Sequence, residues 1–493
     1  MRARLNLAAV VLAATFAATP LLILRGQAPA STSDAAARVA RIEQGLLPPV
    51  TVKDAAPAKY ALQERMAFYK VPAISIAFVE NGTIAWAKAY GVADVAAKTP
   101  ATTETLFQAA SISKPLTALA VMRLVQDGKL TLDEDVNVKL KSWKLPENEF
   151  TTAQKVTLRR LLTHSGGTTV SGFPGYTSTE VVPSVLQVLN GEKPANTAPV
   201  RVDIEPGTIT RYSGGGFTIV QLLLSNVTGK PFSQLMREMV LAPAGMTAST
   251  YEQPLPSAMS PRATMAYLRS GEPVKGGPHT YPEMAAAGLW TTPSEISRVA
   301  IEMEASLEGR SSNLLSQATI KEMLSVQREG WGLGIGLNGE GPSLRFGHSG
   351  ANAGYRCQWL HYPGRRQGVA VMTNADAGSE LIQEVLRAIA AEYGWPDFKP
   401  VERTLAKIDV SVLPAYAGSY RGDGGLAATV THDGGRLFMQ AAPLGPKPVE
   451  IHPESATDFF VMANPLVVRF TPDGESMTVL QGPNKLTLKR VKQ

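Results

Sequence analysis

A serine and a lysine stand three residues apart in the segment Ser111-Ile112-Ser113-Lys114. A serine hydroxyl is a weak nucleophile at its ordinary pKa and needs a base beside it. On a helix, residues i and i+3 project from the same face, so Lys114 can reach Ser111. The lysine can accept the proton only if burial or a second cation lowers its pKa. The pair therefore suggests acyl transfer through a serine nucleophile.

The serine–lysine spacing has little specificity on its own. Two common residues at a fixed spacing occur about once by chance in a chain of this length. Pro115 fits the first turn of a helix, where its missing N–H costs least. We therefore expect Ser111 at a helix N-terminus, where the helix dipole favours the negative charge that develops in acyl transfer.

A tyrosine, Tyr212, precedes Ser213 and the three glycines Gly214, Gly215 and Gly216. Glycines let a backbone approach a ligand closely, so we expect Gly214 beside the substrate. The tyrosine hydroxyl could relay a proton to or from a leaving group. The alternative is a core tyrosine ahead of a loop that starts a helix.

His348, Ser349 and Gly350 follow a strand-like run and precede Ala351. A strand edge at Gly350 would let a substrate backbone lie alongside it. The N–H groups of Ala351 and Ser111 could form an oxyanion hole. His348 would supply a donor, or a positive charge when protonated, for a substrate carboxylate. The alternative is a surface histidine in a glycine-rich turn.

Other chemistries find less support in the sequence. His164, in the segment L-L-T-H-S-G-G, is a candidate base for a Ser-His-Asp triad, but we interpret it as closing a helix and bonding local backbone. No G-x-S-x-G surrounds Ser111, as the nucleophile elbow of α/β-hydrolases requires. The histidines show no metal-ligand spacing, and the glycine-rich segments match neither a P-loop nor a dinucleotide fingerprint. We therefore expect no metal or organic cofactor.

Helices and an antiparallel sheet must position these residues. The apolar periodicity predicts helices at Tyr60–Tyr69, Leu116–Val125, Leu158–Thr163, Phe217–Val227 and Ser379–Tyr393. Alternating segments predict strands at Pro72–Val79, Thr83–Tyr90, Trp331–Leu337, Leu344–Gly347, Tyr355–Tyr362 and Val369–Thr373. Asn81-Gly82 is a hairpin turn signal, and the short connections between the last strands indicate antiparallel pairing.

The C-terminal part of the chain has a different pattern. The segment 396–410 is predicted to be a linker. Short strands then recur at intervals of 8 to 12 residues or so, which predicts a small all-β domain, a barrel, over 411–493. These strands are expected at Tyr416–Tyr420, Ala427–Thr431, Leu437–Ala441, Asp458–Met462, Leu466–Phe470 and Met477–Gln481.

The net charge, the N-terminal segment and the cysteine count limit which partners and which cellular compartment we expect for the protein. The chain has 493 residues and a net charge of +6, which gives no nucleic-acid footprint. Residues 1–27 combine arginines with an apolar stretch and predict an export signal, with an uncleaved anchor and membrane association as the alternative. The single cysteine, Cys357, rules out an intrachain disulfide despite the expected periplasmic or secreted location.

Taken together, the three motifs resemble the serine β-lactamase and penicillin-binding-protein superfamily over about residues 35–395. The resemblance is nearest to class C β-lactamases, D-alanyl-D-alanine carboxypeptidases, D-aminopeptidases and related esterases. Supporting segments are Pro72–Ser75, Phe107–Ser111, Leu161–Gly166 and Ala287–Thr292. The resemblance implies a helical domain packed on an antiparallel sheet domain, an α+β fold, with the site between them. It also likens the C-terminal domain to a lipocalin-like barrel.

By resemblance, Ser111 is the nucleophile, Lys114 and Tyr212 transfer protons, and 348–350 correspond to the family's third motif. Gly214 stands where the family usually has asparagine, and His348 replaces the lysine of efficient class C β-lactamases. We therefore expect an exported serine hydrolase of small amides, D-amino-acid peptides or esters. The alternatives are a class C-type β-lactamase or a protein that binds penicillin or cell-wall fragments without turnover. The sequence leaves the oligomeric state open.

Overall fold

The computed structural model describes residues 32–444, 447–482 and 484–491. The predicted export signal or anchor at 1–27 lies outside these residues. The described part of the chain contains no helix with the length and hydropathy of a membrane-spanning segment.

Strands outside the C-terminal barrel form one large sheet and two small pairs. They are β1 (Val50–Val52), β2 (Ala73–Glu80), β3 (Thr83–Asp94), β4 (Thr99–Pro100), β5 (Phe107–Gln108), β6 (Trp290–Thr291), β7 (Gly336–Asn338), β8 (Arg345–Asn352), β9 (Tyr355–Tyr362), β10 (Gln367–Thr373) and β11 (Val401–Arg403). The large sheet is antiparallel and has the order β4-β3-β2-β10-β9-β8-β7. Its β2–β3 hairpin turns at Asn81 and Gly82, whose φ angles of 55° and 72° suit a two-residue hairpin loop.

The α-helices of the described residues pack on both faces of this sheet. They are α1 (Thr32–Glu43), α2 (Leu62–Tyr69), α3 (Ser113–Gln126), α4 (Val136–Lys139), α5 (Leu158–Leu162), α6 (Val185–Asn190), α7 (Gly214–Thr228), α8 (Phe232–Met236), α9 (Met284–Ala287), α10 (Pro293–Leu307), α11 (Gln317–Met323) and α12 (Gly378–Tyr393). A π-helical turn, Arg237–Leu241, continues α8.

The sheet separates two hydrophobic cores because successive side chains of a strand point to opposite faces. On β10, Val369 and Val371 join the core beneath α1, α2 and α12. Ala370 and Met372 join the other core, which contains α3, α7 and α10. This arrangement confirms the predicted fold class, a helical domain packed on an antiparallel sheet domain.

The strand predicted at Trp331–Leu337 is wrong over most of its length, since only Gly336–Asn338 forms a strand. Gly330 and Gly334 adopt left-handed backbone, with φ of 74° and 75°, so the chain turns instead of extending. The turn places the Trp331 side chain beside the candidate site.

Eight antiparallel strands close the C-terminal barrel. They are β12 (Gly418–Gly422), β13 (Ala427–Asp433), β14 (Arg436–Ala441), β15 (Val449–Pro453), β16 (Asp458–Val461), β17 (Asn464–Phe470), β18 (Ser476–Gln481) and β19 (Asn484–Arg490). The sequence prediction missed β15 and β19. In β19 only Leu488 is buried, so its apolar alternation is weak. The segment predicted as a linker contains β11, which pairs in parallel with β1.

Candidate active site

Ser111 lies in the 3₁₀ turn Ala110–Ile112, which leads directly into α3. The preceding residue, Ala110, has a φ of 50°, a left-handed conformation that is uncommon for a residue other than glycine. Ser113 fixes this turn, because its hydroxyl donates to the Ala110 carbonyl at 2.6 Å and accepts from the Leu289 N–H at 3.0 Å. The Ser111 hydroxyl is thereby held just before the helix.

Lys114 meets Ser111 as the spacing predicts. Its Nζ lies 2.9 Å from the Ser111 Oγ and 2.9 Å from the carbonyl oxygen of Ala286. The side chain is buried, and the ion pairs of the described residues do not include it. Burial without a carboxylate partner lowers the pKa of Lys114 to about 7. Near neutral pH the amine can therefore lose its proton and act as a base.

Tyr212 lies beside the serine–lysine pair. The Lys114 Nζ lies 4.9 Å from the centre of its ring. Burial raises the pKa of Tyr212 to about 12, and a hydrogen bond with the Ser111 hydroxyl opposes part of that rise. The phenol therefore stays protonated at neutral pH and can pass a proton between the lysine and a leaving group.

The strand β8 passes directly beside the Ser111 turn. A Cβ added to Gly350 would lie 2.2 Å from the Ala109 carbonyl oxygen, so only glycine allows this approach. A cavity of about 850 Å³ opens along the strand. Predicted site residues that line it are Ser111, Tyr212, His348, Ser349 and Ala351. The three motifs thus converge on one cavity.

Gly214 does not line this cavity. It is buried in the first turn of α7, where an added Cβ would lie 2.8 Å from the Phe173 ring. Its neighbour Gly215 packs as closely, with an added Cβ 2.6 Å from the Thr169 carbonyl oxygen. These glycines allow the helix to pack against the 169–173 segment, and the expected contact of Gly214 with a substrate has no support in the structure.

His348 is buried, and its Nδ1 lies 2.5 Å from the Ser349 carbonyl oxygen. The carbonyl can only accept, so Nδ1 carries the proton, and the buried Nε2 is left with a lone pair and no partner. Burial and then the charge of Lys114 lower the pKa of His348 to about 4. The ring is neutral at pH 7, so the expected positive charge is available only in acid.

The interpretation of His164 is confirmed for its backbone, because the residue follows the end of α5 and its N–H donates to the Leu161 carbonyl at 3.3 Å, but the side chain bonds a distant segment. The helix ends before it at Leu162, and His164 turns into left-handed backbone with a φ of 55°. Its Nδ1 accepts from the N–H of Ser213 at 3.1 Å, and its ring centre lies 4.3 Å from that of Tyr212. The histidine therefore positions the tyrosine loop, a contact that no spacing in the sequence reveals.

Trp331 was also missed, because its segment was predicted as a strand. Its ring centre lies 4.6 Å from His164, 5.8 Å from His348 and 6.1 Å from Tyr212, and it lines the cavity. Among the described residues, no three His, Cys, Asp or Glu side chains are grouped so that they could hold a metal ion.

The chain is similar to known proteins over most of its length. A family model described as Beta-lactamase matches residues 59–392. Penicillin-binding protein 4* of Bacillus subtilis is 25% identical over 435 residues, which cover 80% of this chain and 88% of that protein. Protein flp of Staphylococcus aureus is 29% identical over 226 residues, 45% of this chain and 42% of that protein.

Solved structures show the same fold. The octameric penicillin-binding protein homologue from Pyrococcus abyssi superposes with a TM-score of 0.57 at 24% identity, over 86% of this chain and 98% of that one. The D-amino acid amidase from Ochrobactrum anthropi SV3 has a TM-score of 0.52 at 24% identity, over 67% and 97%. The D-alanine carboxypeptidase AmpC from Burkholderia cenocepacia has a TM-score of 0.52 at 19% identity, over 66% and 96%.

Proposed function

The chain belongs to the β-lactamase family, and on that premise we propose that it is a serine hydrolase that forms an acyl-enzyme on Ser111. The observation that carries the proposal is the 2.9 Å contact between the Ser111 hydroxyl and the buried amine of Lys114. A lysine whose pKa is lowered to about 7 can remove the hydroxyl proton at neutral pH.

The proposed reaction begins when neutral Lys114 takes the Ser111 proton and the Oγ attacks the substrate carbonyl carbon. The N–H groups of Ser111 and Ala351 would stabilise the resulting oxyanion. The lysine ammonium then returns its proton, through the Tyr212 hydroxyl, to the leaving nitrogen or oxygen as its bond to carbon breaks. In deacylation, a water molecule gives its proton through Tyr212 to Lys114 and attacks the acyl carbon. The bond from that carbon to the Ser111 Oγ then breaks, and the Oγ takes the proton back from Lys114.

We propose small amides, D-amino-acid peptides and esters as substrates, with β-lactams as the runner-up class. The named activities of the AmpC carboxypeptidase and the D-amino acid amidase support the first group. His348 in place of a permanently charged lysine argues against efficient β-lactam hydrolysis, because the histidine is neutral at pH 7. We further propose that the protein acts outside the cytoplasm, as residues 1–27 predict an export signal.

The proposal is tested with a fluorophosphonate probe and a panel of D-aminoacyl amides, D-Ala-D-Ala peptides, short esters and nitrocefin. We expect one probe adduct on Ser111 by mass spectrometry and turnover of at least one substrate class, with kcat/KM rising as pH passes through about 7. A Ser111→Ala variant that retains full activity would contradict the proposal. A stable adduct without turnover of any panel member would favour the non-turnover binding protein.

A further inference from the structure

The cavity continues well beyond the reacting groups. It runs along β8 from Ser111 to a distal end formed by side chains of three strands and the segment after α12. The residues at that end are Asn338, Arg345, Leu360 and Phe398, whereas Gln358 pairs with Ser349 nearer the reacting groups. The volume of about 850 Å³ lies at the upper end of the range for small-molecule sites, so a substrate larger than a simple ester fits.

Of the described residues that line this cavity, Arg345 alone carries a charge at neutral pH, since none of them is an aspartate, glutamate or lysine and His348 is neutral. Among the described residues, its single hydrogen-bond partner is Asp397, whose Oδ2 accepts from Nη1 at 2.5 Å. The Tyr362 hydroxyl donates to the same carboxylate oxygen at 2.9 Å. The other guanidinium nitrogens therefore remain available to a ligand.

The guanidinium is held in place from a second side by Phe398. The Arg345 Cζ lies 5.3 Å from the centre of the Phe398 ring, within the range of a cation–π contact. Phe398 itself has a φ of 56°, a left-handed conformation that is rare for a bulky residue. Strained backbone of this kind is concentrated at functional sites, where the surrounding structure over-determines it. Asp397 and Phe398 thus fix the position of the Arg345 side chain at the wall of the cavity.

We propose that Arg345 forms a distal subsite for a carboxylate of the substrate, an inference that rests on the proposed hydrolase function. An arginine held in a fixed position suits a carboxylate because its planar N–H groups match the two oxygens. Arg345 precedes His348 by three residues, about 10 Å along an extended strand, and the two side chains leave opposite faces of β8. The carboxylate must therefore lie several bonds from the scissile carbonyl, which points to acidic peptides or acidic acyl chains rather than small neutral esters.

The subsite is tested with p-nitrophenyl monoesters of dicarboxylic acids, from succinic to sebacic acid, each paired with its neutral half-amide. In the native enzyme we expect the KM preference for the charged partner to appear only in the longer members. Arg345→Gln should reduce that preference by about tenfold, as expected for loss of a charge-assisted hydrogen bond. Asp397→Asn, which removes the competing carboxylate, should not reduce it. Arg436→Gln, at an exposed arginine of the barrel that pairs with Glu450, is the matched control.

Equal effects of Arg345→Gln on charged and neutral esters, or parallel losses in Asp397→Asn, would show that the ion pair is only structural and would overturn the proposal. A second readout does not depend on turnover. In Ser111→Ala, the methyl monoester of suberic acid should bind more tightly than its neutral half-amide by NMR titration, and Arg345→Gln should abolish the difference. Equal binding, or none, contradicts the subsite. If the fluorophosphonate probe does not label Ser111, the proposed hydrolase function is contradicted, while the binding result for Arg345 is unaffected.

Discussion

The active-site region and the C-terminal barrel treat buried polar groups in opposite ways. Beside the cavity, the Nε2 atoms of His164 and His348 are buried without partners, and Lys114 is buried without a carboxylate. In the barrel, Tyr416 and Tyr420 are buried too, but their hydroxyls bond backbone carbonyl oxygens at 2.9 to 3.0 Å. Among the described barrel residues, only the Nε of Arg490 is buried and unpaired.

The difference indicates that buried unpaired groups lower the stability of the fold beside the cavity and not in the barrel. An unpaired buried polar group costs free energy, so a fold retains it where the group does chemistry. The barrel core is instead built from aromatic and aliphatic side chains, with Tyr416 and Phe470 stacked at 4.5 Å between ring centres. Substitutions beside the cavity should therefore lower activity, and removal of a buried unpaired group there should raise stability. Substitutions in the barrel should lower stability and leave activity unchanged.

Lys114→Met gives the largest expected effect. Loss of the base should lower kcat/KM by about 10⁴-fold, in the range reported for loss of a general base or a member of a catalytic unit. At pH 7 the Lys114 amine is charged in the unfolded chain, and its burial in the folded state therefore costs stability. Methionine has no such cost, so the variant should also raise the free energy of unfolding by about a few kcal/mol at pH 7. Ester hydrolysis and urea unfolding measure both. A destabilised, inactive variant would contradict the contrast between the regions.

Glu283→Gln tests a second buried group without a hydrogen-bond partner near the candidate active site. Glu283 occupies the N-cap position of α9, but its side chain makes no capping hydrogen bond, and both of its carboxyl oxygens are buried and unpaired. The Ala286 carbonyl of the same helix accepts from Lys114. Burial raises its pKa from 4.5 to about 8. The folded state therefore keeps a proton that the unfolded state loses between these values, so the free energy of unfolding falls as pH rises through this window.

Because glutamine cannot ionise, the stability of Glu283→Gln relative to the native protein should grow from pH 5 to pH 9, by up to about 4 kcal/mol. Urea unfolding of both proteins across this range measures the change. Glu252→Gln, at an exposed glutamate, serves as the control. A relative stability that does not change with pH would show that the carboxyl is not desolvated as the structure indicates.

His164 variants separate hydrogen bonding from ring packing at the tyrosine loop. Asparagine can accept from the Ser213 N–H and tolerates left-handed backbone, whereas phenylalanine keeps the ring beside Tyr212 but cannot accept. We expect His164→Phe to lower kcat by about tenfold or more, and His164→Asn to lower it less. Steady-state kinetics with the best panel substrate decide the order. The reverse order would show that ring stacking, and not the hydrogen bond, positions Tyr212.

Tyr420→Phe gives the smallest expected effect and tests the barrel. The hydroxyl that donates to the Tyr416 or Gly474 carbonyl is lost, which should lower the free energy of unfolding by about 1 kcal/mol and leave kcat/KM unchanged. Thermal unfolding and ester hydrolysis measure the two quantities. A large loss of activity would show that the barrel contributes to the active site and would break the comparison.

The sequence predicted the framework of the fold well where periodicity was strong. The helix predicted at Ser379–Tyr393 occurs at Gly378–Tyr393, and the strand at Tyr355–Tyr362 has the predicted bounds. Prediction failed where glycines turned an alternating segment, at Trp331, and where a strand buries a single side chain, in β19. The two failures have different causes. Left-handed glycines turn the segment at Trp331, and β19 buries too few side chains to give an apolar alternation that periodicity can detect.

What the sequence determined by itself is the set of proposed reactive groups, Ser111, Lys114, Tyr212 and His348, because the proposed chemistry depends on residue type and order. Only the tertiary structure decided their protonation and orientation. Burial of Lys114 and His348 lowers both pKa values, and the contact of His164 with Ser213 fixes the tyrosine loop. Desolvation and contacts between distant segments depend on what packs around a side chain, and packing is a property of the folded chain.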